Sequence, residues 1–232
     1  MGGSVSGQRK QGEPMADVLD HLQKQEDLLN RLHIQAARQL IIRGGESLCE
    51  CECCGNDIPL KRQQTIPGVR TCTECQRVLA ISKHIEAMDE LSRDGVRQNL
   101  RVGVHSDTEV TIPGVSKDQR VTQVLCSALP VAYHYSPRKD WAPFATLVLE
   151  ACYEATLLAA VLNYHDTGNP RVYLTLVGGG AFGNDLSWIV SALRRALKLV
   201  SHHPLDVRLV NNRNVPIEIE SLIREFGGRS TG

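Results

Sequence analysis

The chain has 232 residues and a mass of 25.6 kDa, room for one large domain or two small ones. Its 26 basic and 26 acidic residues cancel, and neither half is a polybasic module, so direct binding to DNA or RNA is not expected. A hydrophobic share of 42% and a charged share of 22% fit a globular protein with no membrane association. No apolar run approaches a membrane span and no secretory signal is visible, which makes the cytoplasm the expected compartment.

In chain order, residues 1–15 are Gly-, Ser- and polar-rich and read as a disordered leader. Residues 16–42 read as one long amphipathic helix, with Leu22, Leu29 and Ala36 spaced by sevens, stopped by Gly44-Gly45. Such a helix needs a partner. The candidate is a second helix from Arg77 to about Glu90, after a cysteine cluster, so residues 16–92 are expected to form a helical hairpin with a metal site near one end. From about Leu100 the texture changes to short β-rich runs at Arg101–His105, Glu109–Ile112 and Arg120–Leu125. A long helix from about Asp140 to Leu162 follows, then a strand Val172–Val177, a glycine-rich loop Gly178–Asn184 and a helix Leu186–Leu199. A strand Leu205–Val210 and a helix Pro216–Phe226, stopped by Gly227-Gly228, complete the pattern. The expected class is α+β in two modules: the hairpin module, then an α/β layered domain over residues 97–228 with partly parallel strands.

Eight cysteines are present, and in a reducing compartment a clustered set reads as metal ligands rather than disulfides. Cys51-x2-Cys54, 17 residues, then Cys72-x2-Cys75 are two thiolate knuckles that can close a tetrahedral zinc site. Four protein ligands leave no position for water, so such a zinc is structural. Buried free thiols or a redox CxxC are the bland alternatives, and Cys49-x3-Cys53 offers a poorer register.

The run Cys51-Glu-Cys-Cys-Gly-Asn-Asp-Ile-Pro59, then Ile66-Pro-Gly-Val69, then Cys72-Thr-Glu-Cys-Gln76 resembles the DksA/TraR four-cysteine zinc finger family over roughly residues 16–88. The resemblance implies binding to bacterial RNA polymerase. The N-terminal helix would enter the secondary channel and bring acidic residues near the catalytic magnesium. Asp17 and Asp20 stand at the matching place in D-x-x-D spacing and are the candidate polymerase contacts. The residues alone leave a second explanation, that two aspartates favour a helix N-terminus.

Gly178-Gly179-Gly180-Ala181-Phe182-Gly183 lies between a strand and a helix, where glycines allow backbone N–H groups to approach a phosphate and the helix dipole favours it. A tight strand-to-helix turn explains the same composition. A dinucleotide fingerprint also needs an acid at the end of the next strand, and Val210-Asn211-Asn212 ends there instead. Val121–Pro130, the helix through Glu150–Thr156, Leu174–Asn184 and Leu205–Val207 resemble the second half of a macro-like, ADP-ribose-binding domain over about residues 97–213. That resemblance implies a diphosphate cradle made by Gly178, Gly179, Gly180, Ala181, Phe182 and Gly183, with Asn184 at the loop end. The zinc module occupies the place of the macro fold's first half, and no catalytic residue carries over.

His165, His202 and His203 read as solvent-facing, and Cys126 with His134 as a strand-end cysteine and a neighbour rather than a nucleophile and base. Trp141 and Trp188 read as packing anchors. Two functions follow. One is a non-enzymatic zinc-binding transcription regulator engaging RNA polymerase, its α/β extension a possible nucleotide site. The other is an ADP-ribose-binding protein in which the finger only supports or docks.

Overall fold

The computed structural model describes residues 45–114, 116, 118–134, 136–211 and 214–227. The expected leader, the helix over residues 16–42, and Asp17 and Asp20 lie outside the described residues. The chain divides into two compact units: Met1–Cys49 with Ile58–Arg70, and Glu50–Asp57 with Thr71–Gly232.

In the smaller unit, Leu60–Thr65 forms a short helix, α1, that the sequence pattern does not announce. Pro59 starts it with a fixed φ of −55°, and Ile66-Pro67 ends it. The Ser47 hydroxyl ties the segment together. It donates to the Gln63 carbonyl at 3.2 Å and accepts from the Gly68 N–H at 3.0 Å. Backbone bonds from Leu48 N to Val69 O and from Ile58 N to Cys49 O complete the loop.

The larger unit begins with the first cysteine knuckle and continues through helix α2, Thr73–Glu86. This helix starts four residues before the expected Arg77, because extended Cys72 serves as its N-cap and Thr73-Glu74 already lies in the first turn. It also stops short of Glu90. The Asp89 carboxylate accepts from the Ser92 N–H at 2.7 Å and starts a separate helix, α3, Glu90–Arg97. The described partner of α2 is the long helix α4, Arg138–Thr167: Val78 packs with Val131, Trp141 and Ala145.

Strands β1 (Gly103–Glu109) and β2 (Arg120–Leu125) form an antiparallel hairpin. Where two strands were expected, Arg101–His105 and Glu109–Ile112, there is one, Gly103–Glu109, and residues 101–102 and 110–112 lie outside it. A bulge between His105 and Thr108, with Asp107 at φ 56°, bends it where a break was expected. A 3₁₀ turn, Val131–Tyr133, leads to α4.

The α/β layer is built on a parallel pair, β3 (Arg171–Thr175) and β4 (Asp206–Val210), joined through α5 (Leu186–Leu199) and followed by α6 (Ile217–Glu225). Register pairs Val172 with Val207 and Leu174 with Leu209, so these four side chains share one face. That face meets Leu149, Tyr153 and Leu157 of α4, Ile189 and Leu193 of α5, and Ile219 and Leu222 of α6 in one core. Helix α4 is long and apolar enough to cross a membrane by length and composition, but its Leu149–Tyr153–Leu157 stripe is the centre of this core. The Tyr153 hydroxyl locks the helix to the end of β3. It donates to Thr175 O and accepts from Val177 N, both at 2.9 Å.

Candidate metal centre

The first knuckle is a tight turn. Cys51 N–H donates to Asn56 O and Gly55 N–H to Cys51 O, each at 2.8 Å. Gly55 adopts φ 72°, a left-handed conformation that favours glycine and closes the turn. A bridge between Glu50 and Asp57 holds its base. The second knuckle is the N-terminus of α2, where Cys72 caps the helix and Cys75 stands in its first turn. Gln76 N–H donates back to Cys72 O at 3.0 Å.

These two turns bring the sulfurs of Cys51, Cys54, Cys72 and Cys75 to within 4.8 Å of one another. The Cys54–Cys72 sulfur separation is 3.7 Å. A tetrahedron of thiolates at about 2.3 Å from a zinc ion has edges of about 3.8 Å, so the donor set fits the ion in chemistry and in size. Cys51 and Cys75 are buried, while Cys49 is exposed and neither it nor Cys53 joins the cluster.

The thiols around the site are unequal. Burial opposes ionisation of Cys51, yet hydrogen bonds from backbone groups of Cys72, Cys53 and Cys54 bring it down to about 7. Burial, then the charges of Cys51, Asp140 and Glu52, pushes Cys53 up to about 11. Burial also pushes the Cys75 thiol up, against the pull of one hydroxyl: Ser136 Oγ lies 2.9 Å from Cys75 Sγ. The sequence carries no signal for that contact, which spans 61 residues.

The glycine loop serves its own turn. The N–H groups of Gly179, Gly183 and Asn184 donate to the carbonyls of Leu176, Gly180 and Gly178. Gly178 and Gly183 take positive φ, and a Cβ on them would meet Ala128 at 2.5 Å and Ala132 at 2.7 Å respectively. Gly179 lies against Ile189, whereas nothing stands within 4 Å of a Cβ built on Gly180. Ala132 N–H donates to Phe182 O, and the Phe182 ring meets Tyr133 edge-on. Asn184 is buried, its amide donating to Leu129 O at 2.8 Å and Gly178 O at 3.4 Å, while its Oδ1 has no partner among the described residues.

Of the other candidates, Cys126 interacts with Cys152, and the His134 ring meets Trp141 at a tilt, centroids 5.1 Å apart. The Cys152 thiol and, against burial, the Thr156 hydroxyl hold Cys126 down to about 6. His165 and His203 meet ring to edge at 6.2 Å on the surface.

Comparison with known proteins places this centre. Residues 41–79 match the family described as prokaryotic dksA/traR C4-type zinc finger. Protein TraR of Escherichia coli (strain K12) is 39% identical over 62 residues, 27% of this chain and 85% of that protein. An uncharacterized 8.5 kDa protein in the gpA 5' region of Escherichia phage 186 is 41% identical over 71 residues, 30% of this chain and 92% of that protein. The uncharacterized protein YbiI of Escherichia coli (strain K12) is 52% identical over 50 residues, 22% of this chain, which thus spans about half of YbiI, 56% of its length. No solved structure matches the chain. With four thiolates gathered to the dimensions of one zinc ion inside the matched segment, the chain belongs to the prokaryotic dksA/traR C4-type zinc finger family.

Proposed function

We propose that this protein is a zinc-stapled transcription regulator that acts by binding bacterial RNA polymerase. The observation that carries the reading is the closed four-thiolate centre within a segment that covers most of TraR and of the phage 186 protein. A metal with four protein ligands does no hydrolytic chemistry. It fixes the directions of the chain segments that enter and leave it. In this reading the segment before the finger presents Asp17 and Asp20 to the polymerase active centre, where carboxylates act on the bound magnesium or on nearby basic residues. The test is capture of purified bacterial core RNA polymerase by the full zinc-loaded chain. Wild-type protein should retain the enzyme at micromolar concentration, and Asp17→Ala with Asp20→Ala should weaken its effect on transcription at least tenfold. A wild-type chain that neither retains polymerase nor changes transcription would remove the proposal.

The alternative, an ADP-ribose site at Gly178–Asn184, has one observation in its favour: Asn184 Oδ1 has no partner among the described residues. Three of the loop's N–H groups are committed to the turn, and two of its glycines are required by Ala128 and Ala132. We therefore infer that the loop's main role is structural. Titration with ADP-ribose decides, since a saturable rise in melting temperature would revive the ligand reading.

A further inference from the structure

We propose that Ser136, from the segment that opens the α/β layer, is a positioning residue of the zinc centre. Its hydroxyl donates a hydrogen bond to the Cys75 thiolate and makes metal binding depend on the extension as well as the finger. The contact is 2.9 Å long and buried, with Ser136 only 6% exposed. A metal-bound thiolate has no proton, so in the zinc-loaded state the hydroxyl is the donor.

Two features hold that hydroxyl in place. Ser136 directly precedes Pro137, the N-cap of α4, whose φ is fixed at −53°. Val131, 2% exposed, packs against Val78, one helical turn beyond Cys75 on α2, together with Trp141 and Ala145. The serine and the cysteine are thus each anchored to the same interface.

The chemistry gives the contact a purpose. Four thiolates around one divalent cation leave two excess negative charges in a partly buried site. Hydrogen bonds to sulfur spread that charge and orient the ligand, and loss of such an outer contact commonly costs about 10–100-fold in metal affinity. Backbone N–H groups do this for Cys51; for Cys75 the side-chain donor is Ser136. The family match, residues 41–79, ends far before Ser136, so this donor belongs to the extension and not to the matched finger. The inference rests on the metal site alone and does not depend on polymerase binding.

The experiment compares wild type, Ser136→Ala and Ile219→Val as full-length chains. Zinc affinity is measured by chelator competition, and the cobalt-substituted proteins give the sulfur-to-metal charge-transfer band. Ser136→Ala should weaken zinc about tenfold or more. It should also move the charge-transfer band to lower energy, because a thiolate without its hydrogen bond gives up electron density more easily. Ile219→Val removes packing from the α/β core without touching the Ser136 anchor or any sulfur, so it should lower the melting temperature and leave the band in place. An unchanged band in Ser136→Ala overturns the proposal, whether zinc affinity holds or falls, since a fall alone would mean that the serine acts only through packing.

Discussion

At Gly178 the chain turns from β3 towards α5 with φ 79°, and a Cβ there would lie 2.5 Å from the Ala128 Cβ and 2.7 Å from the Asn184 amide nitrogen. Neither atom is the free end of a flexible chain. Gly178→Ala should therefore cost about 2–4 kcal/mol, combining backbone strain with overpacking. Thermal unfolding should report it as a fall of about 5–15 °C. Gly180→Ala in the same loop meets nothing within 4 Å and should stay within about 0.5 kcal/mol of wild type. Equal losses at the two positions would contradict the packing explanation. The pair also shows what composition conceals. A run of glycines states that the backbone needs freedom, but not whether a phosphate or a neighbouring alanine demands it. The cysteines are the opposite case. Two CxxC pairs carry their geometry in their spacing, because each pair spans one short turn, so the cluster of Cys51, Cys54, Cys72 and Cys75 is legible in the spacing alone. Ser136 is not legible, since a hydroxyl 61 residues from Cys75 leaves no periodic trace.

Helix α5 matches its expected bounds, and its start is written locally. Asp185 caps it, accepting from Ser187 N–H at 2.8 Å and from the Ser187 hydroxyl at 2.7 Å, and its apolar spacing feeds one face to the core. These bonds from Ser187 hold the Asp185 carboxyl below its ordinary 3.8. A depressed folded value means stabilisation that is present above 3.8 and lost as pH falls through that region. Asp185→Ala should cost about 1 kcal/mol at neutral pH, and the gap from wild type should close in unfolding experiments below about pH 3.8. Helix α3 has a local start in its Asp89 cap, but the charge network that ties it down reaches α4 and α5 and leaves no periodic trace. Arg97, its side chain 3% exposed, reaches Glu150 on α4 at 2.8 Å, Asp94 at 2.6 Å and Glu90 at 3.0 Å. Arg195 on α5 joins Glu154, Glu90 and Asp94 in the same network. Arg97→Ala strands the Glu150 carboxylate, only 14% exposed, and should cost about 3–5 kcal/mol in denaturant unfolding. Arg97→Lys should recover little, because one ammonium cannot present a planar fork to three carboxylates. Full recovery by lysine would reduce the network to simple charge balance.

At the scale of the molecule, the sequence reads as two modules at the change of texture near residue 97, whereas compactness groups all four zinc ligands with the α/β layer. The reason lies in side chains that sequence periodicity leaves unpaired. Val78 of α2 finds its core partners in Val131, Trp141 and Ala145, and Trp188 packs against the same cluster. If the finger and the layer share a core, they should share an unfolding transition. Zinc that binds only the folded state stabilises by about 4 kcal/mol when present at about a thousand times its dissociation constant. Chelation should therefore lower the transition followed by Trp141 and Trp188 fluorescence by about 8–16 °C. Trp188 lies in the first turn of α5 and Trp141 at the start of α4 against Val78 of α2, so their emission reports the layer together with its junction to α2. A chelated protein whose tryptophan transition stays in place, while its cysteines become freely alkylated, would show a finger that folds on its own. A single displaced transition would make the metal a determinant of the α/β layer's stability, and would place the cost of losing zinc on both parts at once.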